Sequence, residues 1–125
     1  MQIVGVGSDI VNINRIKTIY NKFGISFLDK NFDSSEIEIL NNLSSKHKVR
    51  YLAKRFAGKE AVAKAFGLGI GKLAFKDIII LNDENGRPYV TFSKRKDAEQ
   101  KNQFKIDISL SDDEPFAVAF VVISV

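Results

Sequence analysis

An α+β fold, with a mainly antiparallel sheet packed against helices, is predicted by three features of the sequence. A short strand-like run at the start is followed by helical patterning as far as Phe66. The second half alternates with a period of two, in segments joined by hairpin-length turns. No internal repeat, low-complexity tract or Pro/Gly/Ser-rich linker divides the 125 residues, so 1–125 is read as one domain.

The elements follow in chain order. Gln2 to Val6 reads as a short strand, and Ser8 or Asp9 can cap a helix from about Ile10 to Phe23 that Gly24 terminates. In that helix Ile13, Ile16, Tyr20 and Phe23 recur at helical spacing and should face the core, while Val11, Arg15, Ile19 and Lys22 form a mixed apolar and basic face. A second helix is expected from Ser34 or Ser35, where a serine precedes "EIEILNNL", and a third from about Lys48 to Phe66. "FKDIIIL" and "RPYVTFS" flank "NDENG", whose Asn, Asp and Gly suit a hairpin connection. "SKRKDAEQKNQ" reads as a loop or short surface helix. "FKIDISLS" sets Phe104, Ile106, Ile108 and Leu110 on one face and polar residues on the other. "FAVAFVVIS" is continuously apolar, as in a strand covered on both faces, and a second subunit could supply the second cover.

Composition narrows the function classes. With 45% hydrophobic residues the chain should fold, and its longest apolar run, Phe116 to Ile123, falls far short of the roughly 20 residues of a membrane helix. The start lacks a basic segment followed by a long apolar one, so no signal peptide is read and a cytoplasmic protein is expected. The absence of cysteine excludes disulfides and thiolate metal sites. A formal charge of +4 favours an acidic partner without choosing among phosphates, nucleic acid and acidic protein.

One stretch bears on chemistry: "RFAGKEAVAKAFGLGIG", Arg55 to Gly71. Glu60 and Lys64 lie one turn apart on a helix whose neighbouring positions, Ala53, Phe56, Ala57, Ala61 and Ala63, are small or apolar. An ordinary surface Glu–Lys pair would contribute only about 0.2–0.5 kcal/mol and would sit among polar neighbours. A carboxylate and a lysine on a small-residue surface suit a charged ligand: magnesium accepts a few carboxylates and keeps positions for phosphate oxygens, and lysine adds a positive point charge. The glycines Gly67, Gly69 and Gly71 fit a helix terminator and a flexible exit equally well as a wall that a ligand approaches closely. They do not form a Walker loop, because the spacing fails at Phe66 and Leu73 and the glycines follow the helix instead of opening one. Asp9 is the second candidate metal ligand, although an N-cap role explains it as simply; Gly5 and Gly7 just before it permit an unusual backbone path.

"GVGSDIVNINRI" and "RFAGKEAVAKAFGLGIG", in this order and at this chain length, resemble the holo-[acyl-carrier-protein] synthases of the 4′-phosphopantetheinyl transferase superfamily. The similarity extends through "DENGRPYV" to "ISLSDDEPFAVAFVVI". The resemblance implies transfer of 4′-phosphopantetheine from coenzyme A to a serine of apo acyl carrier protein, releasing adenosine 3′,5′-bisphosphate, within fatty acid biosynthesis. It places the family's magnesium ligands on Asp9 and Glu60, a coenzyme phosphate contact on Lys64, and the coenzyme wall on Gly67, Gly69 and Gly71. It assigns Asn85, Gly86, Arg87 and Pro88 to the nucleotide end, and docking of the acidic carrier protein to the first helix with Arg15, Ile19 and Lys22. It also implies a homotrimer with sites between subunits. With such a metal, Asp9, Glu60 and Lys64 would share the charge of the departing phosphate, and Glu60 is the candidate base for the serine.

The chain departs from many relatives at "SLSD", where Asp112 stands in place of a histidine, so no histidine contact or base carries over. The single histidine, His47, reads as a solvated helix-start residue. Two other classes compete: a nucleic-acid module using Lys94, Arg95 and Lys96, and a magnesium-dependent nucleotide hydrolase sharing Asp9, Glu60 and Lys64. Neither nucleic acid nor membrane is the expected partner.

Overall fold

The computed structural model describes residues 1–67 and 73–125, with the backbone alone at Lys96. Its core is a long helix lying across an antiparallel sheet. The sheet has the order β1-β5-β4, from Ile3–Asn12, Phe116–Ser124 and Lys105–Asp113. The helix is α4, Ser45–Phe66, which buries Leu52, Ala53, Ala57, Ala61, Val62 and Ala65. Alanines every four residues let it lie close to the strands. Three shorter helices, α1 (Ile13–Phe23), α2 (Ile25–Asn31) and α3 (Ser34–Asn41), pack around it. A separate hairpin, β2 (Ile78–Asn82) with β3 (Pro88–Phe92), lies beside β4, and α5 (Lys96–Glu99) and a 3₁₀ turn at Gln100–Gln103 connect it to β4.

The α+β reading holds, with four differences. First, β1 extends to Asn12, so neither Ser8 nor Asp9 caps α1. Asn12 does, its Oδ1 accepting from the Asn14 N–H at 2.9 Å. Pairing with β5 continues through Asp9 opposite Ala119 to Asn12 opposite Phe116, and this ladder outweighs the local capping signal. Second, α2 follows Gly24 directly, and Asp33 caps α3, with Glu36 reaching back to the Asp33 N–H at 2.9 Å. Third, of the four residues expected to face the core from α1, Ile13 and Ile16 are buried, Tyr20 is half-buried and Phe23 is exposed, because α2 places its own Phe27 and Leu28 in the core there.

The fourth difference concerns β5. Its buried apolar residues are Ala117, Ala119, Val121 and Ile123, whereas Phe116, Val118 and Phe120 are exposed. They continue into exposed Val4, Val6 and Ile10 on the adjacent strand. One chain therefore covers one face of the sheet and leaves the other apolar and bare, since α4 supplies a single layer.

Candidate active site

The period-two alternation of β1 puts Gly5, Gly7, Asp9 and Val11 toward α4, with Val4, Val6, Ser8 and Ile10 facing away. The glycines are needed for close approach, not for an unusual backbone path. A Cβ at Gly7 would stand 2.0 Å from the Ala61 carbonyl oxygen, and one at Gly5 would stand 2.0 Å from that of Ala65. Neither has positive φ, so the contact is purely steric. Strand and helix thereby touch backbone to backbone, and Asp9 comes level with the last turns of α4.

Asp9 and Lys64 form an ion pair, Nζ to Oδ1 at 2.8 Å, and the same ammonium donates to the Ser8 carbonyl oxygen at 3.1 Å. The ordinary surface alternative, a Glu60–Lys64 pair on one helix, is not formed; Lys64 pairs instead between helix and strand. Glu60 remains half-buried beside them. Burial and then the charge of Asp9 push its carboxyl above the ordinary glutamate range, while Lys64 and Arg15 pull it back. Lys64 is raised by its hydrogen bond to Asp9 and by the charge of that carboxylate. Two carboxylates opposed to each other and flanked by cations suit a divalent ion and an anionic ligand together. Among the described residues no group of three or more His, Cys, Asp or Glu could hold a metal, but magnesium needs only one or two carboxylates when phosphate and water complete its shell.

Gly67 ends α4 at φ 59°, its N–H bonding to the carbonyls of Ala63 and Lys64. Gly69 and Gly71 lie outside the described residues. Asn85, Gly86, Arg87 and Pro88 do form the hairpin turn: Asp83 Oδ1 accepts the Asn85 and Arg87 N–H groups at 2.9 Å, and Asn82 donates to the Gly86 carbonyl at 2.7 Å. They are not brought to Asp9. The hairpin lies beside β4, Arg87 sits 3.9 Å from Asp107, and β5 separates β4 from β1, a distance of two strand spacings or about 10 Å. Within one chain the expected site is in two parts.

On α1, Arg15 and Lys22 are exposed and Ile19 is half-buried. Ile19 and Phe23 line a groove of about 370 Å³ with Phe27 and Lys30 of α2. Arg15 is close enough to Glu60 to affect its carboxyl, so this basic and apolar face adjoins the carboxylates.

Sequence reasoning missed two features of α4. Lys59, next to Glu60, is fully buried and donates to Glu36 Oε1 at 2.7 Å and to the carbonyls of Phe75 and Ile78 at 2.9 and 2.6 Å. Burial pulls its ammonium below the ordinary lysine range, against the charge and hydrogen bond of Glu36. The second is a pocket of about 260 Å³ between α4 and the end of β4, lined by His47, Arg50, Tyr51, Lys54, Arg55 and Asp112. The i,i+4 pairs Arg50–Lys54 and His47–Tyr51 were the signal available for it. His47, read as merely solvated, is on its rim and hydrogen-bonds Ser44 at 2.8 Å.

With this geometry in hand, the family model of the 4′-phosphopantetheinyl transferase superfamily matches residues 5–121, a span that includes Asp9, Glu60 and Lys64. The chain belongs to the 4′-phosphopantetheinyl transferase superfamily. Among superfamily relatives, a holo-[acyl-carrier-protein] synthase of Orientia tsutsugamushi is 46% identical over 127 residues, covering 98% of this chain and 97% of the other. The crystal structure of such a synthase from Neisseria meningitidis superposes with a TM-score of 0.87 at 36% identity, over 99% of this chain and 100% of that one. That of the Bacillus anthracis synthase, solved in complex with coenzyme A (3′,5′-ADP), gives 0.82 at 35% identity, over 98% and 97%. Superfamily membership and these superpositions cover all the elements that hold the carboxylates.

Proposed function

We propose that the chain, as a single transferase domain over 1–125, moves the 4′-phosphopantetheine group of coenzyme A onto a serine of apo acyl carrier protein. The products are holo acyl carrier protein and adenosine 3′,5′-bisphosphate, for fatty acid synthesis in the cytoplasm. The observation that carries this reading is the meeting of Asp9 and Glu60, from distant parts of the chain, around Lys64 on a surface otherwise built of small residues.

Asp9 and Glu60 are the residues that would hold magnesium, which when bound would supply positive charge to the pyrophosphate of the coenzyme. Lys64, half-exposed and free to turn from Asp9 toward a phosphate, adds charge where the leaving phosphate becomes more negative. The transfer forms a bond from the serine oxygen to the phosphorus of the pantetheine phosphate and breaks that phosphorus's bond to the bridging oxygen, which leaves on adenosine 3′,5′-bisphosphate. The serine proton passes to Glu60, the base in this reading. In this reading Gly67, at the end of α4, would begin the wall for the coenzyme, and Asn85, Gly86, Arg87 and Pro88 would hold its nucleotide end. Since the hairpin turn and Asp9 are apart in one chain, a homotrimer completes each site from two copies, and the bare apolar sheet face supports such an assembly. The exposed Arg15 and Lys22 with Ile19 would dock an acidic helix of the carrier protein.

Incubating the protein with apo acyl carrier protein, coenzyme A and magnesium should add one phosphopantetheine mass to the carrier, and a chelator should stop the reaction. No adduct by mass spectrometry would overturn the reading. Light scattering should give three copies; a monomer that is fully active would remove the shared site.

A further inference from the structure

Lys64 holds Asp9 by an oxygen that a metal would also claim. Its Nζ lies 2.8 Å from Asp9 Oδ1 and 3.1 Å from the Ser8 carbonyl oxygen, so one ammonium gathers two oxygens from adjacent residues of β1. Glu60, one turn earlier on α4, is half-buried and has no ion pair or hydrogen bond among the described residues. The ammonium passes the carboxylate on its own helix for the one on the strand. Asp9 and Glu60 are close enough for their charges to oppose each other, and Lys64 offsets part of that repulsion. A divalent cation would offset more of it. The Asp9 side chain is 15% exposed and Lys64 is 55% exposed, so the flexible lysine stem can swing out while the carboxylate stays.

Two cations cannot share that oxygen. Magnesium demands an oxygen at ~2.1 Å, and an ammonium on the same carboxylate oxygen would both block it and repel it. We propose that Lys64 is a placeholder for the metal: it pairs with Asp9 until a coenzyme phosphate draws it off, so that magnesium and coenzyme enter together and neither holds the site well alone. The inference rests on the coenzyme reading above and adds to it the order in which the site is filled. Metal alone must break the Lys64–Asp9 pair, and coenzyme alone must break the same pair. Binding both breaks it once, so each ligand strengthens the other. Lys64 thereby holds β1 and α4 in register before the ligands arrive, and it keeps a metal from settling on the carboxylates without the pyrophosphate that completes its shell.

Manganese, which takes the same oxygen ligands as magnesium, tests this when titrated into the full-length protein without coenzyme and followed by the loss of its free-ion EPR signal. Lys64→Met should bind manganese about fivefold more tightly than the wild type, and Lys64→Arg, which keeps the pair, should stay within about twofold of it. Lys64→Gln replaces Lys64→Met if that variant does not fold. Removing a nearby charge would tighten binding even without contact, so lysine-ammonium NMR decides between the two. The Lys64 signal, protected while two oxygens hold the ammonium, should vanish when magnesium saturates the wild type. An unchanged signal would overturn the proposal, as would a Lys64→Met protein that binds manganese no better than the wild type. So would a gain in coenzyme affinity on adding magnesium that is as large in Lys64→Met as in the wild type. Phosphopantetheine transfer by a wild type whose metal affinity is indifferent to Lys64 defeats only the inference; no transfer, with manganese bound equally by Asp9→Asn, defeats the coenzyme reading as well.

Discussion

Lys59 and Lys64 lie on the same helix and each holds a carboxylate, but they do opposite things. Lys59 and Glu36 are fully buried, and every strong hydrogen-bonding site is used: Lys59 has three acceptors, while Glu36 accepts from Lys59, the Asp33 N–H and the Ile80 N–H. That pair fastens α3, α4 and β2 together and has no capacity left for a ligand. Lys64 is 55% exposed, its partner Asp9 keeps a second carboxylate oxygen, and Glu60 has no ion-pair or hydrogen-bond partner among the described residues. The same two functional groups make a structural joint when saturated and a site when left incomplete. Burial decides which.

The sharpest way to break this contrast is to remove one member of the buried pair. Glu36→Gln or Lys59→Met leaves a charge unpaired in the interior and should cost about 3–5 kcal/mol in urea unfolding. A loss under 1 kcal/mol would mean that water reaches the pair. Next in size, Asp9→Ala or Glu60→Ala should slow phosphopantetheine transfer by about 10²–10³-fold while the urea midpoint barely moves. A rate change that merely followed lost stability would make these carboxylates structural too. Gly7→Ala should connect the two regions, since its methyl would have to push β1 off the Ala61 carbonyl. About 1–3 kcal/mol of stability should go, with a disproportionate fall in transfer rate as Asp9 moves away from Glu60. If activity per folded molecule is unchanged, the strand–helix contact does not set the site.

The smallest effect has the opposite sign. Because the folded state raises the Glu60 carboxyl, its protonated form favours folding, and that contribution is lost as pH rises through the raised value. At neutral pH the ionised group therefore opposes folding. Glu60→Gln in metal-free buffer should raise the melting temperature at pH 7 by about 2 °C, after allowing for solvent screening, and by nothing below the ordinary glutamate range. A lower melting temperature at pH 7 would show that Lys64 and Arg15 outweigh burial and Asp9.

Much of this was legible in the chain. Period-two segments around "NDENG" and before "DDEP" gave the hairpin and β4, because alternation reports a half-buried surface directly, and the continuous apolar run after "DDEP" gave β5. "RFAGKEAVAKAFG" displayed Glu60 and Lys64 together, since helical spacing is a local property. The end of β1 was misread because Ser8, Asp9 and Asn12 all suit a cap, and only the pairing partner on β5 selects Asn12. Lys59 was passed over because nothing beside it in sequence reveals Glu36, Phe75 and Ile78 as its partners.

The sequence by itself determined most of the elements, though neither α2 nor the end of β1, together with the small-residue face of α4 and the residue types able to meet a metal and phosphates, all of which depend on neighbours within a few positions. Tertiary structure alone decided that Asp9 takes Lys64 from Glu60, that Lys59 turns inward while Glu60 turns out, and that the hairpin turn lies two strands from the carboxylates. Each of those facts joins residues far apart along the chain, and contacts of that range are fixed by packing and backbone pairing, which no local pattern encodes.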